Sequence, residues 1–162
     1  MSFRVAKVDH RQQANARQIH ALQMAAYAQE AALLGAVDFP PLNRTIEEVQ
    51  ASTERFLGAF DREVLVGAIS VGAGEEPGSW NIDSLVVSPA RQREGIARHL
   101  MVATLEQHGA GLMTVQTGAK NAPALALYLR FGFVEFQRWF VGREPLELVR
   151  LRRIGQGIAR GG

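Results

Sequence analysis

Cysteine is absent from this 162-residue chain. That excludes a disulfide framework, a thiolate metal site and a cysteine nucleophile. Long apolar runs are missing too, since no stretch approaches the ~20 residues that a membrane span needs. The opening Met1-Ser2-Phe3-Arg4-Val5 lacks the basic-then-apolar layout of a signal peptide, so a cytoplasmic protein with no membrane contact is expected. Lysine is scarce: Lys7 and Lys120 are the only two, and almost every cation is arginine. Together with abundant Ala and Gly, this usage suggests a GC-rich bacterial genome. The net charge of +2 is too small an excess to imply nucleic-acid binding. The histidines His10, His20, His99 and His108 show no ligand spacing, and no metal site is expected.

What is present describes a soluble globular chain. Apolar residues make up 47% and charged residues 21%, enough for a core and a solvated surface. One domain over residues 1–154 and a loose tail over 155–162 are expected. Within that tail, Gly155-Gln156-Gly157-Ile158-Ala159-Arg160 superficially resembles a dinucleotide loop, but arginine stands at its third glycine and no strand–helix unit follows. Several arginines gather late in the chain: Arg138, Arg143, Arg150, Arg152, Arg153 and Arg160. They read as solvated strand edges and a tail, or as a surface for something acidic.

Periodicity gives the element order. Residues 3–8 alternate as a strand, and 11–34 carry a helical apolar pattern that Gly35 ends. Consecutive prolines put 37–43 in a loop, and Thr45 with Glu48 forms a capping-box start for a second helix. Strands at 55–60 and 64–73 flank Asp61-Arg62-Glu63 as a hairpin, and 80–87 forms the next strand. A helix over 95–108, a strand over 112–116 and a helix over 122–130 follow. Strands at 133–141 and 146–153 close the chain. The order βααβββαβαββ predicts an α/β (α+β) fold, a mixed sheet with helices on both faces.

Two segments carry chemistry. In the first, the apolar strand end Leu85-Val86-Val87 leads through Ser88-Pro89-Ala90-Arg91 into Gln92-Arg93-Glu94-Gly95-Ile96-Ala97-Arg98. Such a strand–turn–helix aims backbone N–H groups and a positive helix end at one spot, which suits a pyrophosphate. Small residues at 95 and 97 admit close approach to the main chain. Arg91, Arg93 and Arg98 add positive charge there. In the second segment, Asn121 is a natural N-cap, Pro123 fits a first helical turn, and Gly132 permits the turn into the final strands. Asn121 and Tyr128 are two turns apart and can face one side.

The spacing Gln92-x-x-Gly95-x-Ala97 resembles the Q/R-x-x-G-x-G/A loop of the GNAT superfamily of acetyl-CoA-dependent N-acetyltransferases. Asn121 to Phe133 is similar to that family's second CoA-binding segment, N-x-x-A-x-x-L-Y-x-x-x-G-F. The element order is also that of the GNAT fold. The resemblance implies acetyl-CoA as cosubstrate, no metal, and an amine acceptor, whether small molecule or protein amine. It implies that the main chain at Leu85, Val86 and Val87 pairs with the pantetheine arm and polarises the thioester carbonyl. It also implies that residues 92–98 hold the pyrophosphate, that Asn121 contacts the CoA arm, and that Tyr128 protonates the departing thiolate.

The attacking amine must lose a proton. Asn81 and Asp83 share a strand face where relatives can carry a base, and only Asp83 can ionise. Glu30 on the first helix and an ordered water are the alternatives. The acceptor would meet Tyr27, Glu30, Asp38, Phe39, Pro40, Pro41, Trp80, Trp139 and Phe140. Two function classes stay open: direct ternary-complex N-acetyl transfer, or a non-catalytic acyl-CoA sensor or interaction module on the same fold. Exposed edges of the final strands would suit pairing of two copies.

Overall fold

A computed structural model describes residues 2–155, so expectations for 156–162, including the tail and its glycine motif, lie outside the described residues. The elements are β1 (Arg4–Val8), α1 (Gln13–Leu34), α2 (Ile46–Ala51), β2 (Arg55–Asp61), β3 (Val64–Ala73), β4 (Trp80–Val87), α3 (Ile96–His108), β5 (Leu112–Gly118), α4 (Ala122–Arg130), β6 (Val134–Val141) and β7 (Leu146–Ile154). The order βααβββαβαββ holds. The proline-rich loop is more ordered than expected. Its prolines open a 3-10 turn at Pro40–Asn43, because their fixed φ suits a first helical turn. The α2 capping box forms: the Glu48 N–H donates to Thr45 Oγ1 at 3.0 Å, and the Thr45 N–H donates to Glu48 Oε1 at 2.9 Å.

The seven strands form one sheet in the order β1-β2-β3-β4-β5-β7-β6. Every neighbouring pair is antiparallel except β4 and β5, which α3 connects as a parallel crossover. Helices α1 and α2 cover one face through Ala16, Ile19, Leu22 and Val49, packed on Val8, Phe56, Leu65, Ala68 and Val86. Helices α3 and α4 cover the other through Ile96, Leu100, Met101 and Tyr128, packed on Ile69, Ile82, Met113, Val115 and Val149.

Two irregularities in β4 position the site. Its pairing with β5 lasts for only Trp80↔Met113, Asn81↔Thr114 and Ile82↔Val115, after which the strands part. On its other edge, Ser70 faces Ser84 while the next residue, Val71, faces Ile82, so Asp83 is the extra residue of a β-bulge. A bulge breaks strict alternation, and it turns Asp83 and Ser84 both toward the α1 face. The carboxylate of Asp83 then lies over Gly72 of β3, a position with no room for a Cβ.

Candidate active site

Where β4 and β5 part, a cavity of about 470 Å3 opens through the middle of the sheet. Asn81, Asp83, Ser84 and Leu85 line it from β4, and Val115 to Gly118 from β5. Tyr27, Glu30 and Leu34 of α1, Asn121 and Tyr128 of α4, the loop Phe39-Pro40-Pro41, and Leu146, Leu148 and Arg150 of β7 complete the wall. Both tyrosines of the chain are therefore here.

Tyr128 is the buried residue of α4, held by the Phe133 ring at a centroid distance of 5.8 Å. Burial, reinforced by the nearby Glu30 and by Tyr27, keeps its phenol well above its ordinary value. It therefore carries its proton at neutral pH. Tyr27 shares a 2.8 Å hydrogen bond with Ser84, which also accepts from Gln23 Nε2 at 3.3 Å. These bonds tie α1 to the freed half of β4.

Two carboxylates face the same space. Partial burial pushes Asp83 above the usual aspartate value; the Asn81 amide, donating to Oδ1 at 2.7 Å, offsets part of this. Asn81 is itself fixed, since Thr114 Oγ1 donates to its Oδ1 at 2.7 Å. Burial likewise raises Glu30, with the Asn121 amide working against it. Both groups are more basic than a solvated carboxylate, which suits a proton acceptor. Asn121 also caps α4 by accepting from the Ala124 N–H at 3.3 Å.

The freed end of β4 runs directly into the glycine loop. Gly95 caps α3 with φ +82° and has no side chain to give, so the first N–H groups of the helix, at Ile96, Ala97 and Arg98, receive no side-chain cap. Arg93 is also held at positive φ, +68°. An uncapped helix start behind a glycine is an anion site of the kind a pyrophosphate fills.

The side chains of the loop are used unequally. Arg91 is already engaged: it forks onto Glu94 at 2.7 and 2.9 Å and reaches Asp61 at 2.8 Å. That triad stiffens the turn and neutralises Arg91, leaving Arg93 and Arg98 as the exposed cations. Gln92 donates to Gln29 of α1 at 2.9 Å. So Gln92 and Glu94 shape the loop with their side chains, and the backbone is what they offer to a ligand.

The sequence profile of the Acetyltransferase (GNAT) family matches residues 17–133. The chain belongs to that family. A GNAT acetyltransferase fold accounts for the parted strands and for the uncapped helix beside them. Among curated proteins, the UPF0157 protein YqkA of Bacillus subtilis (strain 168) is 34% identical over 127 residues, or 78% of this chain. The chain spans only 36% of that protein's own length. Among solved structures, the acetyltransferase yncA from Salmonella typhimurium, with its cofactor acetyl-CoA, superposes with a TM-score of 0.72 at 16% identity, covering 100% of this chain and 99% of that one. The paia N-acetyltransferase from Thermoplasma acidophilum, in complex with coenzyme A, gives 0.68 at 14% identity, covering 95% and 99%. At such identities the likeness is one of fold.

Of the expected acceptor wall, Tyr27, Glu30, Phe39, Pro40 and Pro41 line the cavity, but Trp80, Trp139, Phe140 and Asp38 do not. Trp80 stacks on His108 at 4.3 Å and lies under the Arg55 guanidinium. Trp139 and Phe140 belong to β6, the edge strand beyond β7, of which only Val141 lines the cavity. The late arginines do not act together either. Arg138 pairs with Glu135 and Glu147, Arg152 covers the Phe136 ring, and Arg153 donates to the Phe131 and Gly109 carbonyls. Arg150 alone among them lines the cavity. Period-2 alternation puts it on one face with Leu146 and Leu148, but only the strand order brings that face to the cavity. Among the described residues no cluster of His, Asp and Glu could hold a metal, and no helix is long and apolar enough to cross a membrane.

Proposed function

We propose that the chain transfers the acetyl group of acetyl-CoA directly to an amine, with residues 1–154 acting as one acetyltransferase domain in a bacterial cytoplasm that supplies the cosubstrate. One observation carries the reading. The strand end released by β5 borders the cavity at Leu85 together with Tyr128, and the same strand runs on through Val86 and Val87 into the loop that opens the uncapped start of α3. The pantetheine arm would fill the missing strand contacts at Leu85, Val86 and Val87, and the pyrophosphate would sit on the N–H groups at 93–98. Asn121 would meet the arm from α4.

In the reaction the ammonium first gives a proton to Asp83, the alternatives being Glu30 and an ordered water. The amine nitrogen then attacks the thioester carbonyl carbon, whose oxygen takes a hydrogen bond from a β4 N–H. As the C–N bond forms and the C–S bond breaks, Tyr128 gives its proton to the sulfur, so the products are the acetamide and CoA thiol. The nitrogen sheds its second proton to solvent as the acetamide forms, the phenolate takes one back from solvent, and the base releases the first. Two copies would pair through β6, whose Val134 and Phe140 are exposed on an unpaired strand edge; sedimentation would read this directly.

The deciding test is thermal unfolding with acetyl-CoA at about 100 times a micromolar Kd. Specific binding should add about 2.7 kcal/mol and raise Tm by ~5–10 °C for a chain of this size. ATP and NAD should have no effect. Binding together with thiol release in an amine screen supports the enzyme. Binding with no turnover on any amine would favour the sensor reading, and absence of binding would sink both.

A further inference from the structure

Arg150 is the one cation in the described lining of the cavity, and its position is unusual. It sits on β7 opposite Gln116 of β5, one strand beyond the gap. Its Nη1 is 2.8 Å from Glu75, a residue of the β3–β4 loop whose side chain is 77% exposed. Its Nε is buried with no hydrogen-bond partner. The side chain is nevertheless 22% exposed where it lines the cavity, and its planar fork matches a planar oxyanion. Asp83, Glu30 and the apolar loop Phe39-Pro40-Pro41 line the same cavity.

Resting on the amine-acetylation reading above, we infer that the acceptor is a free amino acid. Its carboxylate lies on the Arg150 guanidinium in the place of Glu75, its amine faces Asp83, and its side chain rests against Phe39, Pro40 and Pro41. Several features fix this chemistry. The cation matches the carboxylate of a zwitterion and the two carboxylates match its ammonium, group by group. A phosphate near −2 would lack a second cation. A polyamine would leave Arg150 facing like charge. Asp83 and Arg150 are two strand spacings apart, at least about 10 Å of backbone, and both side chains reach inward from their strands. The remaining gap suits an amine and a carboxylate on one small molecule. Glu75 holds the guanidinium in place while the site awaits its substrate. Because Glu75 is 77% exposed, an incoming carboxylate can displace it at little cost.

The test is a panel of free L-amino acids, each matched with its α-carboxamide and its decarboxylated amine, followed by CoA thiol release. The expected result is at least a tenfold preference in kcat/KM for the acid over its carboxamide with one or more members. In R150Q the KM for acids should rise and the preference vanish, with R150K restoring part of it. E75Q should lower the KM for acids by removing their competitor. Retained acetyl-CoA stabilisation in each variant shows that it has folded. Acetylation of carboxamides as readily as acids overturns the assignment. So does acetylation of other amines but no amino acid, or equal loss of both substrate types in R150Q. Each of those outcomes leaves acetyl transfer to amines standing. No turnover with any amine overturns both readings.

Discussion

Tyr128→Phe isolates one oxygen atom. The side chain is 5% exposed and its ring packs on Phe133, contacts that phenylalanine keeps. The hydroxyl faces the cavity, so its removal should change stability by less than about 1 kcal/mol. The chemical cost is different in scale. A positioned proton donor contributes roughly 10²–10⁴ in rate, which is about 2.7–5.4 kcal/mol of barrier at 1.36 kcal/mol per tenfold. The variant should therefore unfold like the parent, bind acetyl-CoA with an unchanged Kd, and lose at least a hundredfold in single-turnover rate. Single-turnover conditions matter because product release can mask a chemical step. With no cysteine in the chain, a thiol reagent reports only the CoA released. The pH dependence adds a second check. Burial holds the phenol well above 10, so the parent should show no loss of rate from phenol ionisation up to pH 9. A variant within threefold of the parent rate would remove Tyr128 from the mechanism.

Other expectations follow from the same structure. Glu54→Gln should destabilise the fold by about 2 kcal/mol at pH 7, by weakening bonds from Arg44, Ser52 and the buried Ser70. Burial works to raise Glu54, but those bonds outweigh it and its pKa is lowered. The parent's advantage is thus full above the unfolded glutamate value and shrinks as pH falls through the lower, folded one. Denaturant melts at pH 7 and pH 3 measure the difference, and equal gaps at both would refute it. Gly95→Ala should cost about 1 kcal/mol through its left-handed φ alone, because the nearest atoms to a Cβ there, on His99, are at ordinary contact distance. A melt with no shift would show that the loop relaxes. Gly72→Ala pushes a methyl into the Asp83 carboxylate and should lower kcat tenfold or more, with acetyl-CoA affinity intact; parental turnover would argue that Asp83 is not the base.

The elements were legible because local signals and packing agree. The Thr45/Glu48 box, the glycine before Ile96 and the Asn121 cap each do locally what their types suggest. The shape of the glycine loop was legible for the same reason, since a loop and the helix it opens are contiguous. The makeup of the cavity wall was not. Arg150 reaches the cavity only through strand order, because β7 inserts between β5 and β6. Without that order Trp139 and Phe140 look equally eligible. The bulge at Asp83 was equally hidden, as it depends on pairing with β3 and not on any residue of β4 alone.

Three residue pairs are all that stitch β1–β4 to β5–β7 along the β4–β5 seam. The sheet is in effect two panels sharing a short hinge, and acetyl-CoA would lie in the open part of the seam as a removable strut. Amide exchange at Asp83 to Val87 and at Gln116 to Gly118 should slow sharply on binding, more than at the outer strands. A cell low in acetyl-CoA would then hold the looser form, which proteases find first, and the abundance of the protein would follow its own cosubstrate.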